Sequence, residues 1–379
     1  MRILLVGEYS RLHNSLKEGL EALGHEVVII ANGDGFKNYP VDLKIDHSFH
    51  HPILKKFKVG FYKLTSMDLG AYEIFFKAKF HSKKLRGFDV VQLINEYALK
   101  ASPSLDITFL KQLLKHNKKL FLLSCGIDYQ CMRYMMDGKF NYSIMSPYLK
   151  DPSLKPLYKF QLEYLNDSFK NLHDFIYKNA QGVIATDMDY HLPLLGNRSY
   201  LGLIPNPINT DNIAYLPIEI TDKIKIFHGI NTSAVVKKGN EYFSKALKII
   251  ADKYKDEVEV VTTHSLPYDQ YIKIYDGCHI LMDQIYSFDQ GFNALEAMAK
   301  GKVVFTGAEQ EWLDYYGVEE DTIVINALPN VDYLVKKLSW LIENPHKILE
   351  ISKNAREFVE REHYYKAISQ QYLNLWDKN

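Results

Sequence analysis

Apolar runs and amphipathic stretches alternate along this chain in a regular order. "RILLVG" reads as a buried strand and "EYSRLH" as a polar turn, after which "NSLKEGLEALG" spaces Leu16, Leu20 and Leu23 four and three residues apart, along one helix face. "HEVVIIA" is a second strand. This β-α-β opening predicts a parallel sheet with a ligand crevice at its C-terminal strand ends. Further strands are expected at "DVVQLI" (89–94), "KLFLLS" (119–124) and "GVIAT" (182–186), with helical material between them.

At "LIPNPINTDN" (203–212) two prolines and several asparagines break the periodicity, and "LPIEITDK" extends the break. The same logic then starts again: strand "KIFHG", helix "NEYFSKALKIIADKY", strand "VEVVTT", helix "YDQYIKIYDG", strand "HILMDQ", then a helix in "GFNALEAMAKG", strand "KVVFTG" and strand "TIVI" before closing helices. The expected organisation is therefore α/β, with two Rossmann-like domains facing a cleft. A first domain spans 1–204, a linker 205–222 and a second domain 223–362, and a final helix, 363–379, crosses back to the first domain.

Composition narrows the class. At 379 residues, two domains fit the usual size range better than one. A formal net charge of zero argues against nucleic acid as a partner. Three cysteines without paired spacing point to a reducing compartment and no disulfide. No segment is a membrane span, and the short apolar run at the start is a strand rather than a leader. A cytoplasmic protein is expected.

Within that frame a few polar residues stand out. Glu296 sits one turn into an otherwise apolar helix; a carboxylate there either stabilises the helix dipole or holds a ligand. Gly291, Phe292 and Asn293 lie at that helix's start, where free N–H groups meet anions. Glu8, Arg11 and His13 follow the first strand, at the crevice position. "TDMDYH" contains Asp187-x-Asp189, a pairing known from metal–diphosphate sites, but its place after a late strand disfavours that role. His50 and His51, being adjacent, read as a polar loop, so no metal is expected.

"GFNALEAMAKGKVV" resembles the donor-binding signature of the retaining glycosyltransferases of the GT-B fold, family 4, where a glycine-rich turn and a Glu-bearing helix precede "AMA-x-G-x-PV". "IPNPINTD" is similar to that family's approach to the second domain, "HGINTSAVVKKG" to its phosphate loop, and "AREFVEREHYYKAISQQYLNLW" to its closing helices. The resemblance spans the chain and is more specific in the second half. It implies a nucleotide-diphosphate sugar as donor substrate and no separate cofactor, with Glu296 on the ribose hydroxyls and Lys238, beside Lys237, on the diphosphate. Thr232 lies in the loop where the family usually carries an arginine. Eight positions before Glu296 the family has a second Glu; this chain has Phe288, and Asp283 or Asp289 are the candidate substitutes. Asp128, in "LSCGIDYQ", matches an acidic position after a first-domain strand, with Cys125 where His often stands, although an N-cap role fits it as well.

The resemblance implies a metal-independent transferase moving a sugar to a saccharide or lipid-linked saccharide acceptor in surface glycan synthesis. An epimerase of the same fold, or an inactive sugar-nucleotide-binding paralogue, are the alternatives. Between residues 51 and 120 lysines greatly outnumber acids and are interleaved with Phe57, Phe61, Phe75, Phe76 and Phe80. Peripheral contact with the inner face of a membrane is the corresponding expectation, against a solvated basic face over an ordinary core.

Overall fold

The computed structural model describes residues 1–266 and 268–379, with Phe36, Tyr268 and Asp269 as backbone alone. Seven strands form the first sheet: β1 (Arg2–Val6), β2 (Glu26–Ala31), β3 (Leu43–Lys44), β4 (Val90–Leu93), β5 (Lys119–Ser124), β6 (Gly182–Ala185) and β7 (Tyr200–Leu203). Their order is β3-β2-β1-β4-β5-β6-β7, parallel throughout. A second parallel sheet holds β8 (Ile224–Ile230), β9 (Val258–His264), β10 (Ile280–Met282), β11 (Val303–Thr306) and β12 (Ile325–Asn326), ordered β12-β11-β10-β8-β9.

Central strands are apolar on both faces because helices cover both, as in β4 and β11, where every residue is buried. Those strands were legible as continuous apolar runs. The sequence pattern did not announce β3, which is two residues long, or β7, a half-buried edge strand interrupted by Gly202.

The final helix, Tyr365–Lys378, returns to the first domain, where Ile368, Tyr372, Leu373 and Trp376 join the core of the first sheet. It packs closely on helix Leu12–Ala22: a Cβ on Gly19 would come within 2.1 Å of the Ser369 hydroxyl oxygen. The chain thus passes between the domains twice, and the two passes are bonded together. Ile208 N–H donates to the His363 carbonyl at 2.7 Å, and Tyr365 N–H donates to the Ile208 carbonyl at 3.1 Å. The His363 ring, fully buried, bonds the Asn206 carbonyl through Nδ1 at 2.9 Å.

Candidate functional site: two crevices at strand ends

Each sheet has one topological switch point, between β1 and β4 and between β8 and β10. Strand order reverses there, so the loops leave in opposite directions and a crevice opens beyond the strand ends.

At the second domain's switch point the loop after β8 meets the residues after β10. Gly239 makes the approach possible: its φ is +69° and a Cβ there would lie 2.6 Å from Ile285 Cβ. Ile285 N–H donates to the Lys238 carbonyl at 3.0 Å, pinning one loop to the other. Lys238 Nζ consequently reaches Asp283 Oδ1 at 3.4 Å. The same oxygen accepts from Asn293 Nδ2 at 2.9 Å, and Thr306 Oγ1 donates to Asp283 Oδ2 at 3.4 Å. Asn293 is held in turn by Tyr275, whose hydroxyl donates to its carbonyl at 2.8 Å. The structure therefore brings Lys238, Asp283 and Asn293 into one cluster. Lys238 is a half-exposed cation on a buried anion, so an incoming diphosphate would find it oriented but partly neutralised.

Helix Phe292–Ala299 starts at Gly291 with no side-chain cap. One turn in, the half-buried Glu296 carboxylate accepts no hydrogen bond and forms no ion pair among the described residues. Burial raises its pKa, opposed by the charges of Lys300, Arg11 and Lys37. It lines a cavity of about 330 Å³ together with Phe292, Lys300, Arg11 and the linker residues Asn209 and Asn212. Arg11, itself paired with Glu18 at 2.6 Å, thus lines the same cavity as Glu296 from the first domain. Lys237 turns away, its Nζ 5.5 Å from the Tyr158 ring centroid. Thr232 is exposed beside Ser265, with 3.0 Å between their hydroxyl oxygens.

The first domain's polar candidates are disposed differently. His13 has no exposed surface; its Nδ1 bonds the Gly7 carbonyl at 2.7 Å, and burial lowers its pKa to about 3. It is a neutral core histidine, which overturns its reading as a sugar contact. Glu8 is buried, with Oε2 accepting from Asn14 N at 2.9 Å, and desolvation pushes its pKa up to about 7. Asp128 is the N-cap of helix Tyr129–Met136, accepting from Cys131 N at 2.7 Å and from Ser124 Oγ at 2.7 Å. Of its two readings the cap is the one the structure displays, with the carboxylate buried and each oxygen hydrogen-bonded within the fold.

What the β1/β4 crevice offers instead is a cavity of about 410 Å³ lined by Tyr9, Tyr97, Lys100, Ile127, Phe160 and Tyr164. Sequence reasoning missed it. The available signal was a shared Glu-Tyr pair, Glu8-Tyr9 and Glu96-Tyr97, just beyond two strands that are neighbours in the sheet. Lys100 Nζ lies 4.1 Å from the Tyr9 ring centroid.

Phe288 is buried against Phe140 and Tyr142 of the first domain, at centroid distances of 4.8 and 5.4 Å. Of the two aspartates considered as substitutes for the family's Glu, Asp283 joins Lys238, while Asp289 accepts from Met188 N of the first domain at 3.0 Å. The Asp187-x-Asp189 pair belongs to the same interface: Asp189 accepts from Ser287 Oγ at 2.6 Å and from Phe288 N at 3.2 Å. Burial raises the pKa of all three aspartates, Asp189 to about 6 and Asp289 to about 7. Away from both crevices, His50 pairs with Asp46 at 3.0 Å and stacks on His47 at 4.3 Å rather than acting with His51. Asp46, His47 and His50 bring ligand-type atoms within 4.8 Å of one another.

This pair of facing parallel-sheet domains recurs in solved structures. The chain superposes over its whole length on sucrose-phosphate synthase from Thermosynechococcus elongatus (TM-score 0.63, 16% identity, 98% of that chain). It does so equally on HepE from Anabaena solved with UDP and glucose (TM-score 0.62, 12% identity, 100% of that chain). A glycosyltransferase from Rickettsia africae matches at TM-score 0.54 and 16% identity, covering 100% of this chain and 97% of that one. The fold is GT-B. Residues 233–374 also match a family model described as glycosyl transferase-like, and no curated protein matches. That segment of the GT-B chain contains Lys238, Asp283, Asn293 and Glu296.

Proposed function

We propose that the protein is a nucleotide-sugar-dependent glycosyltransferase of the retaining type, with the donor on the second domain and the acceptor on the first. The observation that carries this reading is the Glu296 carboxylate, unpartnered and half-buried one turn into the helix that starts beside the Lys238–Asp283–Asn293 cluster. Two free carboxylate oxygens match a vicinal diol such as the ribose of a nucleotide. A lysine and an uncapped helix start nearby match its diphosphate. HepE, which shares the fold, was solved with UDP-glucose, so uridine nucleotides are the first probes.

As the bond from the sugar to the diphosphate breaks, negative charge grows on the leaving diphosphate, and Lys238 is placed to stabilise it. Asp283 holds the ammonium in place. A divalent ion is not required in this scheme, and the Asp187-x-Asp189 carboxylates are engaged at the domain interface. The aromatic cavity at the β1/β4 switch point suits the apolar face of a saccharide, in the free or lipid-linked acceptors of surface glycan synthesis. A second reading, a sugar-nucleotide-binding protein without turnover, is favoured by Phe288 in place of the family's first Glu.

Calorimetry against UDP, GDP and ADP and their sugars, followed by product analysis with saccharide acceptors, tests both. Transfer with the donor's anomeric configuration kept supports the first reading. Tight binding without transfer to any acceptor supports the second, and no nucleotide binding rejects both.

A further inference from the structure

Helix Pro52–Thr65 has no buried residue, which is unusual for a helix with a marked apolar stripe. Ile53, Phe57, Gly60 and Leu64 are spaced four, three and four apart, so they lie along one side. Ile53, Phe57 and Leu64 are 71%, 60% and 88% exposed. At the end of the next helix, Leu69–Phe80, Phe80 is 84% exposed. Of the phenylalanines singled out from sequence, Phe61 and Phe75 are partly covered, and Ile53 and Leu64 replace them on the open face.

The charges around this face have one sign. Helix Pro52–Thr65 contains lysines and no acid. Between residues 52 and 86 the acids are Asp68 and Glu73, and both are already paired, with Lys58 at 3.5 Å and Lys77 at 2.8 Å. Lys55, Lys56 and Lys63 on the first helix, and Lys79 and Lys83 on the second segment, are exposed and form no ion pair among the described residues.

We propose that this face docks on an anionic lipid surface, with Ile53, Phe57, Leu64 and Phe80 entering the headgroup boundary and the lysines meeting lipid phosphates. A second copy of the chain would bring the same basic face against itself, which disfavours self-association. A lipid surface supplies both the apolar depth and the opposite charge. The face belongs to the first domain, which also holds the aromatic cavity, so docking would bring that domain to a lipid-anchored acceptor. The docking itself does not depend on the glycosyl-transfer reading, since it is measured without donor or acceptor.

The test is co-sedimentation of the full chain with phosphatidylglycerol-containing and with pure phosphatidylcholine vesicles across a salt series. Binding to the anionic vesicles that weakens with salt is expected. Lys56→Gln and Lys63→Gln should each lower the partition coefficient about fivefold, and Phe57→Glu combined with Leu64→Glu should abolish binding. All four positions are exposed, so thermal stability should be unchanged and a fold defect is recognisable. No binding, equal binding to neutral vesicles, or binding unaffected by the paired substitution overturns the proposal. So does concentration-dependent dimerisation without lipid that Phe57→Glu and Leu64→Glu remove, which would make the face an interface between copies.

Discussion

The two strand-end crevices occupy equivalent places in similar sheets, yet they present opposite chemistry. Beyond β8 and β10 the polar groups stay available: Lys238 is half-exposed and Glu296 has no partner among the described residues. At the first sheet's strand ends the polar candidates His13, Glu8 and Asp128 are buried within the fold, and the cavity beyond β1 and β4 is lined mainly by aromatic rings. Equivalent position in a Rossmann-like sheet thus sets where a ligand sits, while the degree of burial decides what kind. A charged ligand fits the second crevice and a neutral, hydroxyl-rich one the first.

The comparison breaks most readily at Lys238. Lys238→Ala should lower turnover on the order of a hundredfold, with a smaller change in the donor's KM, because charge on the diphosphate peaks in the transition state. Unchanged turnover in steady-state assays would make it a surface lysine. Glu296→Ala should weaken UDP and UDP-sugar binding together, by about 1.5–3 kcal/mol, since both carry the ribose. Calorimetry showing the loss for only one of them would detach Glu296 from that role.

On the first-domain side, Tyr97→Ala should raise the acceptor's KM by a few-fold, about 0.5–1.5 kcal/mol, and leave the donor's unchanged. A shift in the donor's KM instead would erase the division of labour. The smallest effect concerns pH. Glu8, Asp128, Asp189 and Asp289 have folded-state pKa values of about 6 to 7, raised by burial above ordinary carboxylate values. The folded state therefore holds more protons than the unfolded one. Their contribution is fully present below about pH 4 and is lost as pH rises through 6 to 7. The buried neutral histidines oppose this trend, so the test is a difference: Asp289→Asn should cost more Tm relative to the wild type at pH 5 than at pH 8, and an equal cost at both would contradict its assignment as a buried acid.

Fold and site were not equally legible in the chain. Strands such as "KLFLLS" and "KVVF" announced themselves because burial on both faces leaves no polar alternation to obscure them. Glu296 stood out as a candidate for the opposite reason, as a single carboxylate in an apolar helix. His13 misled because a histidine just past a strand end looks the same in sequence whether its ring faces the cleft or the core, and only packing distinguishes the two. The aromatic cavity was hidden because Tyr9, Tyr97 and Tyr164 come from separate loops, in a chain with 27 tyrosines. Asp189 and Asp289 could not be read as partners across the interface, since no local pattern records a contact between residues a hundred positions apart.

The returning helix bears on how the chain comes to be folded as it is made. Trp376 and Tyr372 complete the core around β1 and β5, strands that are translated well before them. An early domain in such a chain would emerge with part of its apolar surface uncovered and wait there until the last helix is synthesised. The second domain, whose sheet and covering helices lie within residues 224–362, has no such delay. Order of synthesis and order of completion are therefore reversed, and the first half of the nascent chain is the half that would need protection from aggregation.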